Sequence, residues 1–577
     1  MKSYSKFSEK FNREKPLQKY PRPNLVRDSY TNLNGIWKYQ IVKNNVGFNE
    51  NWKDIVVPFG VGSLLSEVLD VLKPDEDLWY RKTFKYKKVK EKTILHFEAV
   101  DQVCWIYLNG EFIGKNEGGY NPFSFDVSNY IKEDNELLVK VNDYSETGIY
   151  AYGKQRLDNK EIWYKPIAGI WQTVWLEDVN KGYIKELFIT PIFDEKKVIF
   201  SLIGDYNQAI ITIFENKKEV VRTITSEDSF EFEFEEFIEW NIDEPFLYDV
   251  TIETEDDFVK SYFGMRKISK EKDKKGHMRV YLNNKPVFVS GILDQGYISD
   301  GIYTFPNEES MLYDIAIAKE FGFNMIRKHI KQENRRWYYL CDIMGMLVYQ
   351  DMPSGGKPVN LISFNQAAGT LDIKLKDNNY KRFGREKEES RNMYYQELNN
   401  MILTLYNHPC IVTWIPFNEG WGQFDAKQVV SFIKKIDSTR LISHVSGWFD
   451  QGVSDYDSRH VYFRKYKHRK DKHNRISFLS EFGGYSYLVK RHFFGKNTYG
   501  YKMFNSKKEL ENSIIRLYRY EILPSVSMGL SGCVYTQLSD VEDECNGLVT
   551  YDRKVLKINP RRLKAINLRI RKVIKDE

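Results

Sequence analysis

Two patterns of hydrophobic and polar positions divide this chain. From Pro21 to about Glu177, short runs alternate between apolar and polar residues, with turn formers between them. Residues 93–98 (TILHFE) and 104–108 (CWIYL) are typical, and the second is followed by Asn109-Gly110, the strongest short hairpin signal. Runs 137–141 and 173–176 continue the series, which predicts an all-β sandwich of jelly-roll type over residues 1–180. A shorter, more acidic β-rich stretch follows. Its strands at 198–203 and 209–214, and the alternation FEFEF at 230–234, predict an immunoglobulin-like sandwich over 181–268. The charged run 270–275 is expected to mark a boundary.

Beyond it the period changes. Short apolar runs alternate with helix-length segments, the signature of a parallel sheet with helical crossovers. Asn307 before Glu308 and Glu309 predicts a helix start, with Met311, Leu312, Ile315 and Ala318 on one face and an end near Phe321-Gly322. Strands are predicted at 286–291, 324–327, 347–351, 411–417, 441–445, 460–463, 476–482 and 532–537. Eight strands in about 300 residues predict a (β/α)8 TIM barrel over 269–577. The polar, glycine- and lysine-rich segment 354–390 is expected to form a long loop over the barrel mouth.

Composition narrows the class. Of 577 residues 42% are hydrophobic and 15% aromatic, enough for several cores and for rings that stack on sugars. A net charge of +6 from 86 basic and 80 acidic side chains is nearly balanced and does not point to nucleic acid. Five scattered cysteines without CxxC spacing argue against a disulfide framework or zinc site. The opening residues lack an apolar signal core and no run approaches a membrane span, so a cytoplasmic protein without membrane anchor is expected.

Two stretches carry candidate chemistry. The apolar run 411–417 ends in Asn418-Glu419, and the run 476–480 ends in Glu481, each before glycines. Carboxylates at the carboxyl ends of buried parallel strands would sit at the mouth of a barrel. Two that face each other are what glycoside cleavage requires.

At these residues the sequence resembles glycoside hydrolase family 2, the β-galactosidases, β-glucuronidases and β-mannosidases. Tyr20-Pro21-Arg22-Pro23, Leu78-Trp79-Tyr80-Arg81, the segment 169–177 (GIWQTVWLE), Phe263-Gly264-Met265-Arg266 and Asn418-Glu419 carry the likeness. It implies Glu481 as nucleophile and Glu419 as acid, then base, in a retaining double displacement. It also implies Asn418 donating to a sugar hydroxyl, with Arg327 and His329 after the second barrel strand. Asp294, Gln295, Asp351, His460 and Gln537 are further strand-end groups suited to sugar hydroxyls, and Trp421, Trp448 and Tyr535 are rings that could stack on a sugar face.

The expected activity is an exo-acting β-glycosidase of β-galactoside type. Residues 291–304 (GILDQGYISDGIYT) depart from the segment that reads the sugar in common β-galactosidases, which keeps a furanosidase (β-galactofuranosidase or arabinosidase) in view. A silent carbohydrate-binding protein is the alternative from another class. The expected partner is a glycoside or oligosaccharide, with self-association left open. No cofactor is required and no metal ligands are assigned, although relatives use magnesium or sodium ions. The basic run 464–475 is read as a solvated loop, with a docking patch for an anionic substrate as the lesser reading.

Overall fold

The computed structural model describes residues 4–359 and 375–576. Its first sandwich packs a four-stranded sheet on a six-stranded one. In the long strand Asp134–Asn142 buried and half-buried positions alternate, so Leu137, Val139 and Val141 enter the core with Trp37, Tyr80 and Phe97. Val103–Leu108 and Glu111–Glu117 form the expected hairpin, and Asn109 and Gly110 both adopt positive φ at its turn. The second sandwich pairs a three-stranded with a four-stranded antiparallel sheet around Phe200, Ile211, Ile252 and Phe263.

The charged run 270–275 lies in a hairpin formed by Ile268–Lys272 and Met278–Leu282, which leads through Lys285–Val287 into the barrel. Arg279 of this hairpin is fully buried and donates to the carbonyls of Val526, which ends the short helix Leu523–Val526, and of Leu530, which begins the last barrel strand.

The barrel is an eight-stranded sheet, nearly closed, of Val289–Asp294, Met325–Lys328, Leu347–Asp351, Ile411–Ile415, Leu441–Ile442, Tyr456–Val461, Ile476–Gly483 and Leu530–Thr536. All of its strand pairs are parallel. Two strands are displaced from their expected positions. The first begins at Val289, because residues 285–287 complete the antiparallel hairpin; the sixth runs over Tyr456–Val461, ahead of the apolar run 460–463.

Helices Glu308–Glu320, Arg335–Met344, Glu388–Leu405, Ala426–Ile436, Lys507–Leu517 and Pro560–Asp576 cover the sheet. The first is capped by Asn307, whose side chain accepts from Ser310 N at 2.9 Å in a capping box. Met311, Ile315 and Ala318 of that helix are buried, but Leu312 is 37% exposed. It faces outward because the buried stripe runs through Ser310, Asp314 and Ile317 instead. Among the described residues no helix joins the sixth and seventh strands; the basic segment 464–475 spans that gap. Its Arg475 is buried between Asp450 and Asp471, and Tyr466 N donates to Glu521 at 2.8 Å.

Candidate active site

Inside the barrel, alternate residues of each strand share a layer. Tyr349, Thr413, Tyr456 and Phe478 fill the middle, and the hydroxyls of Tyr349 and Thr413 lie 2.9 and 3.0 Å from that of Tyr456. Toward the carboxyl ends of the strands charged groups take over, Asp351 two residues beyond Tyr349, Glu481 three beyond Phe478 and His460 four beyond Tyr456.

Arg327, with no exposed surface, is the hub of that upper layer. Its Nε and Nη2 grip both oxygens of Asp351 at 3.0 and 2.8 Å. Nη1 donates to Glu481 Oε1 at 2.8 Å and Nη2 to Asn418 Oδ1 at 2.7 Å. A bidentate carboxylate fixes the plane of the guanidinium and so aims the donors that remain. His329 Nδ1 is 3.0 Å from Asp351 Oδ2; burial first, and then the Arg327 charge, hold this imidazole well below its ordinary 6.5 and therefore neutral.

Glu419 reaches the same space from a strained corner. Its φ is +51°, in the left-handed region, and its backbone N–H donates to Ser446 O at 2.8 Å. Gly420 follows with φ +73°, where a Cβ would lie 2.4 Å from the Phe449 ring, so glycine is required there. His460 stands between the two glutamates. Its Nδ1 is 2.7 Å from Glu419 Oε1, and its Nε2 is 2.9 Å from Ser446 Oγ and 3.5 Å from Glu481 Oε1. One oxygen of each glutamate and one nitrogen of His460 all lie within 4.8 Å of one another. Burial alone would raise the Glu481 carboxyl from its ordinary 4.5, but His460 and Arg327 outweigh it and hold the group down to about 2.

Tyr462 was not among the residues picked out by sequence. Its hydroxyl donates to Glu481 Oε2 and lies 2.9 Å from Thr536 Oγ1, while its ring stacks on Tyr501 at 3.7 Å and 3°. It follows an unremarkable strand end, and no motif marks it. The first sandwich also contributes: its segment 144–165 brings Trp163 onto Trp421, with ring centroids 5.0 Å apart. Tyr152, Ile330, Phe383 and Phe449 complete this aromatic wall, and Trp448 packs on it with its ring 6.2 Å from His460. Of the expected loop 354–390, Gly355 and Arg385 border the wall through Gly422, whereas residues 360–374 lie outside the described residues.

The structure thus gathers Arg327, His329, Asp351, Asn418, Glu419, His460 and Glu481, with Trp421 and Trp448 beside them. It does not bring Asp294 there. Asp294 is in register with Lys328, and its carboxylate receives Lys328 Nζ at 2.6 Å on the helix-facing side, where that lysine lies over the Trp337 ring. Tyr535 is likewise turned outward, fully buried between Phe482 and Tyr518 and unable to stack on a sugar. Gln295 and Gln537 bond each other at 2.7 Å in a buried amide chain that continues to Asn546. His460 groups with two glutamates distant in sequence, in a cluster of a size that could hold a cation. The Arg327 guanidinium already neutralises one of those carboxylates, which works against a metal there.

The model of the family described as "Glycosyl hydrolases family 2, TIM barrel domain" matches residues 274–520, and "Glycosyl hydrolase 2 galactose-binding domain-like" matches 69–165. The chain belongs to glycosyl hydrolase family 2. Among family 2 relatives, a β-galactosidase of Thermoanaerobacter pseudethanolicus is 27% identical over 404 residues, which are 63% of this chain and 47% of that one. A β-glucuronidase of Streptococcus agalactiae is 24% identical over 434 residues, covering 69% and 68%. The chain thus spans less than half the length of that β-galactosidase. In fold it is similar to the solved structure of a β-glucuronidase from an uncultured Clostridium sp., with a TM-score of 0.73, 18% identity, and coverage of 95% and 99%. The family 2 architecture, sandwich domains ahead of a barrel, is therefore shared over nearly the whole chain.

Proposed function

We propose that this protein is a retaining β-glycosidase that removes a terminal, non-reducing β-linked sugar, with Glu481 as nucleophile and Glu419 as acid and then base. The observation that carries the reading is the approach of the two carboxylates to within 4.8 Å. Retaining enzymes hold the pair about 5–5.5 Å apart, whereas inverting enzymes keep roughly 6.5–9.5 Å to admit a water.

Each neighbour then has work to do. Arg327 and His460 keep Glu481 ionised, as an attacking carboxylate must be. Asp351 orients Arg327. Asn418 accepts from Arg327 through Oδ1, which leaves its Nδ2, buried without a partner, free to donate to a sugar hydroxyl. Glu419 protonates the leaving oxygen, and His460 sets its direction. When the sugar ester on Glu481 forms, Tyr462 loses an anionic acceptor; when water attacks, Glu419 takes its proton and the Tyr462–Glu481 bond is restored. The indole N–H groups of Trp163 and Trp421, in the aromatic wall, are buried without partners and so are available to sugar hydroxyls.

Relatives named as β-galactosidase and β-glucuronidase support a pyranoside, with the β-galactoside type foremost. A panel of aryl β-glycosides, pyranoside and furanoside, tests this reading. Turnover of a β-pyranoside with retained anomeric configuration by NMR is expected; an inverted product would overturn it. Glu481→Ala and Glu419→Ala should each lower kcat by orders of magnitude. Azide should rescue the Glu481 variant and yield a glycosyl azide of inverted configuration.

A further inference from the structure

The chemistry proposed above makes no use of the basic segment 464–475. It leaves the carboxyl end of the sixth barrel strand, at the mouth, and returns to the amino end of the seventh, so it descends the outside of the barrel. Phe463 stands at its head, one residue past Tyr462. That ring is 85% exposed and lies 5.3 Å from the ring of Tyr501, which itself stacks on Tyr462. An exposed apolar ring thus marks the rim of the site. Arg464, Lys465, Lys467, Arg469, Lys470 and Lys472 follow it, all exposed. The acids that would offset them are engaged elsewhere, Asp471 by Arg475 at 3.0 Å and Asp457 by Arg459 at 2.8 Å. Among the described residues none of those exposed cations forms an ion pair.

The hairpin that leads into the barrel extends the same charge. Its Lys272 and Lys274 are exposed and in no ion pair among the described residues, while Asp273 is taken by Arg279 at 2.8 Å. Lys270 of the hairpin reaches Asp455, at the foot of the sixth strand, at 3.0 Å. Hairpin and segment meet at Gly529, where a Cβ would lie 2.9 Å from His277 Nδ1 and 3.3 Å from His468 Nε2. Burial holds the His468 imidazole down to about 4, and the charges of His277, Arg279 and Arg459 press it the same way. A chain whose charge is nearly balanced overall therefore carries one continuous band of uncompensated cations.

We propose that this band docks the remainder of an anionic polysaccharide, carboxylated or sulfated, whose terminal sugar enters the barrel mouth. The inference rests on the glycosidase reading above. A surface of one sign attracts a polyanion along its whole length. The eight residues of the seventh strand span about 26 Å, which gives the band room for several sugars. Nucleic-acid platforms interleave aromatic rings with their cations, but of Phe463 and Tyr466 only the first is exposed, which favours a glycan.

The test measures binding of fluorescein-labelled polygalacturonate and dextran sulfate to the full chain by anisotropy, with neutral dextran as control. At least one polyanion should bind saturably and more weakly as salt is added, and dextran should not bind. The combined variant Arg464→Glu, Lys467→Glu, Arg469→Glu and Lys470→Glu should raise Kd by about tenfold or more at unchanged Tm. The same reversal on the two sandwiches, Lys87→Glu, Lys88→Glu, Lys132→Glu and Lys218→Glu, should leave Kd within about twofold. Phe463→Ser, at the rim, should weaken binding severalfold. Failure of both polyanions to bind, equal losses in the two combined variants, or no effect of Phe463→Ser would overturn the proposal. Tighter binding of single-stranded RNA through the same residues would overturn it too. Binding is read without turnover, so the two readings part: a chain that splits aryl glycosides but binds neither polyanion loses only this proposal. One that binds them but splits no glycoside loses the glycosidase reading instead.

Discussion

Tyr462 and Glu481 bear the sharpest consequences at the scale of single residues. The Tyr462 hydroxyl donates to the carboxylate proposed here as nucleophile, and removal of one such donor from a dry site costs about 10²-fold in kcat. Tyr462→Phe should therefore lower kcat by about that factor with KM little changed; unaltered kcat would show that the contact is only structural. Glu481 is held down to about 2 from 4.5, so its ionised form stabilises the folded chain. That contribution is fully present above about pH 4.5 and is lost as pH falls toward 2. Across that window Tm should fall more steeply for the unaltered protein than for Glu481→Gln. Parallel curves would contradict the electrostatic account of the site.

The first barrel helix makes the account testable at the scale of elements. Asn307 satisfies an otherwise free N–H at the helix start, and Asn307→Ala should cost about 1 kcal/mol, read as a lowered Tm in thermal unfolding. No loss would mean that packing alone fixes that end. The same helix shows how far sequence reading carried. Its cap and its end near Gly322 were visible in residue types, and so were the eight strands of the barrel, because apolar runs bounded by turn formers have few other readings. Which face each strand residue takes was not visible. Strands buried on both sides are apolar throughout, so no alternation marks the inside. Arg327 points in and its neighbour Lys328 points out, and Asp294 and Tyr535 follow Lys328. Register shifts in the sixth and seventh strands further blur the count along the chain.

At the scale of the whole molecule, the site is a joint construction. The barrel supplies the carboxylates, while the first sandwich supplies Trp163 and Tyr152 across a junction that also holds Glu98 against Arg335 at 2.7 Å. Nothing in local sequence links residue 163 to residue 421, because that contact exists only once both domains are folded. The likeness to whole family 2 structures, over nearly the full chain, fits such interdependence. The claim on which the rest depends is that Glu481 attacks the sugar while Glu419 faces it. Mass spectrometry of the protein inactivated by a 2-deoxy-2-fluoro β-glycoside tests that claim most directly. The account predicts one sugar adduct, on the peptide that contains Glu481; an adduct on any other residue would contradict it.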